Sequence, residues 1–119
     1  MNKGRKTTGG KYHQNHKRKW HEHKTQENKT SLGETKSKII RTRGGLKTSI
    51  LLKSNKTNLT IGNKTEQVEI KNVLQTPQNV FLARQNRLLK GAIIQTSKGK
   101  ARITNRPSRE GMVNSILVE

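Results

Sequence analysis

Cations carry most of the chemistry available to this chain. Lys17-Arg18-Lys19-Trp20 sets three positive side chains beside the sole tryptophan, and Arg41-Thr42-Arg43-Gly44-Gly45 sets two guanidinium groups on a glycine turn. Further along, Lys98, Lys100, Arg102, Arg106 and Arg109 recur at intervals of two to four residues. Guanidinium forks match phosphate oxygens in two-point contacts, and ammonium groups act as mobile point charges. An indole beside them can stack on a base or a sugar. Glycine pairs, as in Thr7-Thr8-Gly9-Gly10, let the backbone approach an anion closely. The pattern points to holding a polyphosphate. Bond-breaking would need a placed acid–base pair or acidic metal ligands. The seven acids (Glu22, Glu27, Glu34, Glu66, Glu69, Glu110, Glu119) are scattered, and there is no cysteine. We read the chain as non-enzymatic, without a small-molecule substrate. Its four histidines, His13, His16, His21 and His23, match no zinc spacing and sit among ammonium groups. They are read as neutral hydrogen-bonding groups, and neither a metal nor a cofactor is expected.

Composition sets the same bounds. Of 119 residues, 26 are Lys or Arg and 7 are Asp or Glu, a formal charge of +19, while 27% are hydrophobic. Such a chain repels itself when compact and attracts polyanions. Its length suits one small domain. Without cysteine no disulfide frame is available. Nothing approaches the ~18 consecutive apolar residues of a membrane span. The basic start lacks the apolar stretch of a secretory signal, and no long basic amphipathic helix suits a membrane surface. A soluble intracellular protein whose partner is nucleic acid, with no membrane, is therefore expected. Aromatic residues are few, namely Tyr12, Trp20 and Phe81, and Phe81 reads as a core residue. Base stacking along a single strand then cannot dominate, so phosphate contacts and the shape of folded RNA must.

Two kinds of chain must present these cations. Residues 1–37 form a long basic N-terminal extension lacking its own core, because low hydrophobicity with high charge leaves too little surface to bury. Residues 38–119 read as short strands separated by Gly, Asn and Pro. Strands are expected over Lys38–Arg43, Leu46–Lys53, Leu59–Ile61, Thr65–Lys71 (with Asn72–Gln75 continuing it or starting the next) and Val80–Arg84. Turns are expected at Gly44-Gly45, Asn55–Asn58, Gly62-Asn63, Thr76–Asn79 and Ser97-Lys98-Gly99. From Lys100 to Thr104 the pattern alternates, with Ala101 and Ile103 facing one way and Lys100, Arg102 and Thr104 the other. Such spacing predicts an all-β fold, a small antiparallel β-barrel. Its expected core is Ile39, Ile40, Ile50, Leu52, Val68, Ile70, Val73, Phe81, Ile94, Ile103, Val113 and Leu117. The expected RNA-binding residues are Lys3, Arg5, Lys6, Gly9, Gly10, Lys11, Lys17, Arg18, Lys19, Trp20 and Lys24 in the extension. In the body they are Arg41, Arg43, Gly44, Gly45, Arg84, Arg87, Lys90, Lys98, Lys100, Arg102, Arg106 and Arg109.

Several segments also carry a family likeness. Arg41 to Gly45, Lys90-Gly91-Ala92-Ile93-Ile94 and Gly99 to Pro107 resemble the archaeal form of the small-subunit ribosomal protein S8e family. Gly111 to Glu119 resembles its carboxyl end, and Thr8-Gly9-Gly10 and Lys17 to Trp20 are similar to its Thr-Gly-Gly and Lys-Arg-Lys-aromatic elements. The chain departs from the family pattern after Trp20, with His23-Lys24 and Gln26 where relatives commonly place Gly-Arg and a Pro. The resemblance implies a small β-barrel with a basic amino-terminal extension. It also implies a structural part of the small ribosomal subunit, binding its RNA and supporting assembly, in the cytoplasm within the ribosome. The implied partners are small-subunit ribosomal RNA and neighbouring small-subunit proteins. The alternative is a ribosome-biogenesis factor or another non-ribosomal nucleic-acid-binding protein.

Overall fold

The structure, a computed structural model, describes residues 4–13, 16–24 and 26–118. In chain order the elements are β1 (Ser31–Leu32), β2 (Lys36–Arg41), β3 (Lys47–Ser54), β4 (Lys56–Ile61), β5 (Lys64–Gln75), α1 (Val80–Arg84), β6 (Ile93–Thr96), β7 (Gly99–Ile103), α2 (Pro107–Glu110) and β8 (Asn114–Leu117). Strands β4 to β8 close into a five-stranded barrel, and β1, β3 and β2 form a separate three-stranded sheet in that order. Among the described residues no helix is long and apolar enough to cross a membrane.

Local sequence explains the barrel's hairpins. Gly62-Asn63 joins β4 to β5, with Gly62 in the left-handed region (φ 57°) that a tight hairpin turn demands. Ser97 and Lys98 join β6 to β7, whose pairing begins at Thr96 and Gly99. Alternation then decides which side chains fill the interior. Leu59, Val68, Ile70, Ile94, Ala101 and Ile103 point inward and are buried, while Lys100 and Arg102 point out. Leu88 and Ala92 reach the same core from the connection between α1 and β6, and Leu51 reaches it from β3.

The barrel closes by a parallel pair, β4 with β8, in register Asn58 with Asn114 and Thr60 with Ile116. An entirely antiparallel barrel was expected, and this seam corrects it. The parallel sense follows from the strand count: four successive antiparallel pairings around five strands leave the first and the last running the same way. Polar groups buried along the seam satisfy one another. Thr57 Oγ1 donates to the Val113 carbonyl at 3.2 Å, so the Ser115 hydroxyl is the donor in the 2.9 Å contact between Thr57 and Ser115.

The three-stranded sheet is joined to the barrel through β3, whose Leu51 lies in the barrel's core cluster. β3 passes through Asn55 into β4, leaving one residue between them where a turn over Asn55–Asn58 was expected. Gly111, which ends α2 at φ 72°, abuts β3 so closely that a Cβ there would lie 2.9 Å from Ser49 Oγ and 3.1 Å from the Ser49 carbonyl oxygen. Thr30 is fully buried, donates to the Leu51 carbonyl at 2.8 Å, and accepts at its own carbonyl from the Leu88 N–H at 3.1 Å. It is the first residue anchored to the body; the described residues before it are exposed.

Other expectations need correction. Val80–Arg84 is a helix, capped by the Asn79 side chain, which accepts from the Phe81 N–H at 3.0 Å. Phe81 is 63% exposed, and Ile39 (69%) and Ile40 (36%) are exposed as well, so none of the three belongs to the core. Among the described residues nothing covers β2, and every one of its residues is exposed. Leu52 and Leu117 are half-buried, and Ile50, Val68, Ile70, Val73, Ile94, Ile103 and Val113 are buried as expected.

Candidate nucleic-acid interface

Strands β2 and β3 form a ribbon whose register sets like charges opposite one another. Arg41 faces Lys47, and Lys36 faces Lys53 across a bulge between Lys36 and Ser37. Like charges directly opposite on adjacent strands weaken a ribbon. No carboxylate comes within ion-pair distance of any of these four among the described residues. The ribbon ends in Arg43-Gly44-Gly45, where both glycines have φ 81°. Thr42 closes the loop by donating from its N–H (2.7 Å) and its hydroxyl (2.9 Å) to the Leu46 carbonyl. A closed, exposed cationic tip results.

A second concentration of charge lines a groove of about 700 Å³. Arg87, Lys90, Arg106, Arg109 and Lys29 surround it with Glu27 as the one acid, and Leu82, Leu88, Leu89 and Pro107 supply apolar wall. Hydrogen bonds to backbone carbonyls hold these walls in place. The Gln78 side chain donates to the Lys90 carbonyl at 2.6 Å, the Arg87 N–H to the Leu82 carbonyl at 3.1 Å, and the Glu110 N–H to the Arg106 carbonyl at 3.1 Å. Five cations against one acid give the groove a field that favours phosphate.

The barrel wall is a third, sparser site. On β7, Lys100 lies between Gln95 of β6 and the β8 end, while Arg102 pairs across to Ile93 and Ile116. Lys98 is different, because it is held by Glu66. That contact is the sole Lys or Arg ion pair with a carboxylate among the described residues. Two other acids serve backbone groups instead. Glu22 accepts from the Lys19 N–H at 2.9 Å, and Glu110 from the Arg106 N–H at 3.4 Å. The acids therefore leave most of the positive surface uncompensated.

Ahead of Thr30 the described residues form small local turns. Arg5 and Lys11 bridge across a loop in which the Arg5 guanidinium donates to the Gly9 carbonyl at 3.0 Å. Lys6 lies 5.7 Å from the Tyr12 ring centre, within cation–π range. Trp20, 92% exposed, starts a single helical turn that ends at Glu22. No group of three or more His, Asp or Glu side chains gathers at one point among the described residues.

Known proteins resemble this chain over nearly its whole length. The family model described as Ribosomal protein S8e matches residues 1–118. The chain belongs to that family. It is 40% identical over 115 residues to the small ribosomal subunit protein eS8 of Haloarcula marismortui, covering 97% of this chain and 94% of the relative. The protein of the same name from Methanococcus aeolicus is 40% identical over 119 residues, covering 96% and 91%. That from Methanocorpusculum labreanum is 36% identical over 117 residues, covering 97% and 94%.

In this S8e-family chain the expected binding residues fall into separate groups. Arg41, Arg43, Gly44 and Gly45 share the ribbon tip; Arg87, Lys90, Arg106 and Arg109 meet in the groove. Lys100 and Arg102 stand on the barrel wall, and Lys98 is engaged with Glu66. Arg84 lies 5.5 Å from the Phe81 ring centre on α1. Arg5, Lys6, Gly9, Gly10, Lys11, Lys17, Arg18, Lys19, Trp20 and Lys24 are exposed on the segment before Thr30. Lys3 lies outside the described residues. Lys29, Lys36, Lys47 and Lys53 were not singled out, yet they complete the groove and the ribbon. Counting outward from the Gly44-Gly45 turn would have paired Arg41 with Thr48, one residue away from its actual partner Lys47.

Proposed function

We propose that this chain is a structural constituent of the small ribosomal subunit that binds its ribosomal RNA through phosphate and shape contacts and supports subunit assembly. The observation that carries this reading is the ribbon's pairing of Arg41 with Lys47 and of Lys36 with Lys53. A polyanion laid along the ribbon turns that repulsion into attraction. Whole-length similarity to proteins named small ribosomal subunit protein eS8 supports the same assignment.

In this reading residues 38–119 are the domain that carries the barrel and residues 1–37 a basic extension, whose part ahead of the anchored Thr30 takes its path from RNA. Disorder of such a segment when free follows from its charge and its lack of apolar surface. The ribbon tip, the groove and the outward face of β7 dock against folded RNA. The extension carries Arg5, Lys6, Lys11 and Lys17 to Trp20 between helices whose phosphates would otherwise repel. Catalysis has no part in this role. The protein works in the cytoplasm, within the ribosome, beside other small-subunit proteins.

A binding titration on small-subunit ribosomal RNA and on a generic RNA duplex, at several salt concentrations, tests the proposal. Tighter binding to the ribosomal transcript, with a steep fall as salt rises, is expected, because each neutralised phosphate adds roughly 0.7 to 0.9 to the log–log slope. Equal affinity for the two RNAs, or for DNA, would move the chain to the general nucleic-acid binders.

A further inference from the structure

Phe81 is the chain's single phenylalanine, and it stands outside a core that is short of large side chains. On α1 the residues divide cleanly. Leu82 and Gln85 turn toward the basic groove, Ala83 packs against the core, and Val80, Phe81 and Arg84 face solvent. Arg84 lies 5.5 Å from the Phe81 ring centre, a distance at which a guanidinium is attracted to the face of the ring.

The helix beneath the ring is firmly placed. Asn79 caps it by accepting from the Phe81 N–H, Thr76 donates from its buried hydroxyl to the Asn79 carbonyl, and Gln78 donates to the Lys90 carbonyl. The ring is thus presented on a fixed backbone, on the segment whose Leu82 and Gln85 line the groove. Single exposed apolar side chains are common on protein surfaces. What sets Phe81 apart is the Arg84 guanidinium beside its ring, which pairs an aromatic face with a positive charge on one exposed surface.

We propose that Phe81 and Arg84 form a stacking platform for one unpaired base of the bound RNA, whose neighbouring phosphates sit on Arg87 and Lys90 in the groove. The inference rests on the RNA-binding reading and adds a specificity to it, since the platform selects unpaired nucleotides over continuous duplex. Aromatic rings and guanidinium planes are the surfaces on which splayed-out RNA bases stack. A duplex offers no free base face at this point. Phosphate contacts alone would not distinguish the two.

Because Phe81 is the only phenylalanine, labelling that residue type in the full chain gives the signals of a single ring in an NMR spectrum, and uniform 15N labelling reports the backbone of Arg87 and Lys90. Three RNAs serve as probes: a hairpin with one bulged adenosine, the same hairpin without the bulge, and the same hairpin with an abasic site at the bulge. The ring signal is expected to move upfield with the bulged adenosine and not with the other two. Phe81→Leu should weaken binding of the bulged hairpin roughly fivefold or more, with little change for the unbulged one. Equal upfield movement with the abasic or unbulged hairpin would overturn the inference. So would an unmoved ring signal while the backbone signals of Arg87 and Lys90 shift, and the face would then suit an apolar protein side chain, with the RNA reading intact. If no signal shifts with any RNA, the RNA reading fails and the platform with it.

Discussion

The barrel and the ribbon are built from similar strands, yet they stand in opposite relation to solvent. Every barrel strand turns one row of side chains into a shared interior, so that Leu59, Ile94, Ala101 and Ile103 are wholly buried. In the ribbon, β2 is exposed along its full length, and its isoleucines cover nothing. Charges differ in the same sense. At the end of the barrel's β6–β7 hairpin Lys98 meets Glu66, whereas along the ribbon lysine and arginine meet each other. One region is stabilised by its own residues. In the ribbon β3 is covered at Ile50 and Leu51, and β2 is left with charge and apolar surface that a partner can match.

The largest effect should separate the two regions by stability. Leu59→Ala removes a fully buried side chain from the barrel core and should cost about 2–5 kcal/mol in denaturant unfolding. Ile39→Ala, on the ribbon, should change stability by less than about 0.5 kcal/mol. A comparable loss at Ile39 would mean that the ribbon is packed against something in the free protein, and the contrast would dissolve.

The joint between the regions comes next. Gly111→Ala places a Cβ against Ser49 and holds a left-handed backbone angle that alanine disfavours by about 1–2 kcal/mol. A total loss of roughly 2–3 kcal/mol is expected by thermal or chemical unfolding, since overpacking adds to the backbone strain. Unchanged stability would show that β3 shifts freely away from α2.

Smaller in energy, yet sharper in logic, is Lys47→Glu. It converts the repulsion with Arg41 into a cross-strand attraction, so the free protein should gain on the order of a few tenths of a kcal/mol, kept small by solvent screening. The same change should weaken RNA binding. Opposite signs for melting temperature and affinity would mark the ribbon as built for its partner, and a loss in both would make Lys47 structural.

What the sequence revealed depended on whether a signal was local. Gly62-Asn63, Ser97-Lys98-Gly99 and Gly44-Gly45 announce hairpins because a tight reversal needs particular residues at particular places. The alternation of Ala101 and Ile103 with Lys100 and Arg102 likewise reads directly as an inside and an outside. Val80–Arg84 was misread because Val-Phe-Leu-Ala-Arg is too short to express either period, and the deciding cue is the Asn79 cap. Ile39 and Ile40 look like core by composition, yet among the described residues no layer covers β2, which no local pattern can disclose. Leu88 lies in a stretch without periodicity, and only its approach to Thr30 reveals that it is buried. The groove was equally hidden, because residues near 27, 87 and 107 meet there through the topology. The binding residues were thus legible as types, and their grouping was not.

The central claim is that the ribbon's mutually repelling cations are sites for RNA phosphates. Its most direct test is the salt dependence of binding to small-subunit ribosomal RNA for the unmodified chain and for the double variant Arg41→Ala, Lys47→Ala. The account predicts a log–log slope shallower by about 1.4 to 1.8, the loss of two phosphate contacts, with the melting temperature unchanged or raised. An unaltered slope would contradict it.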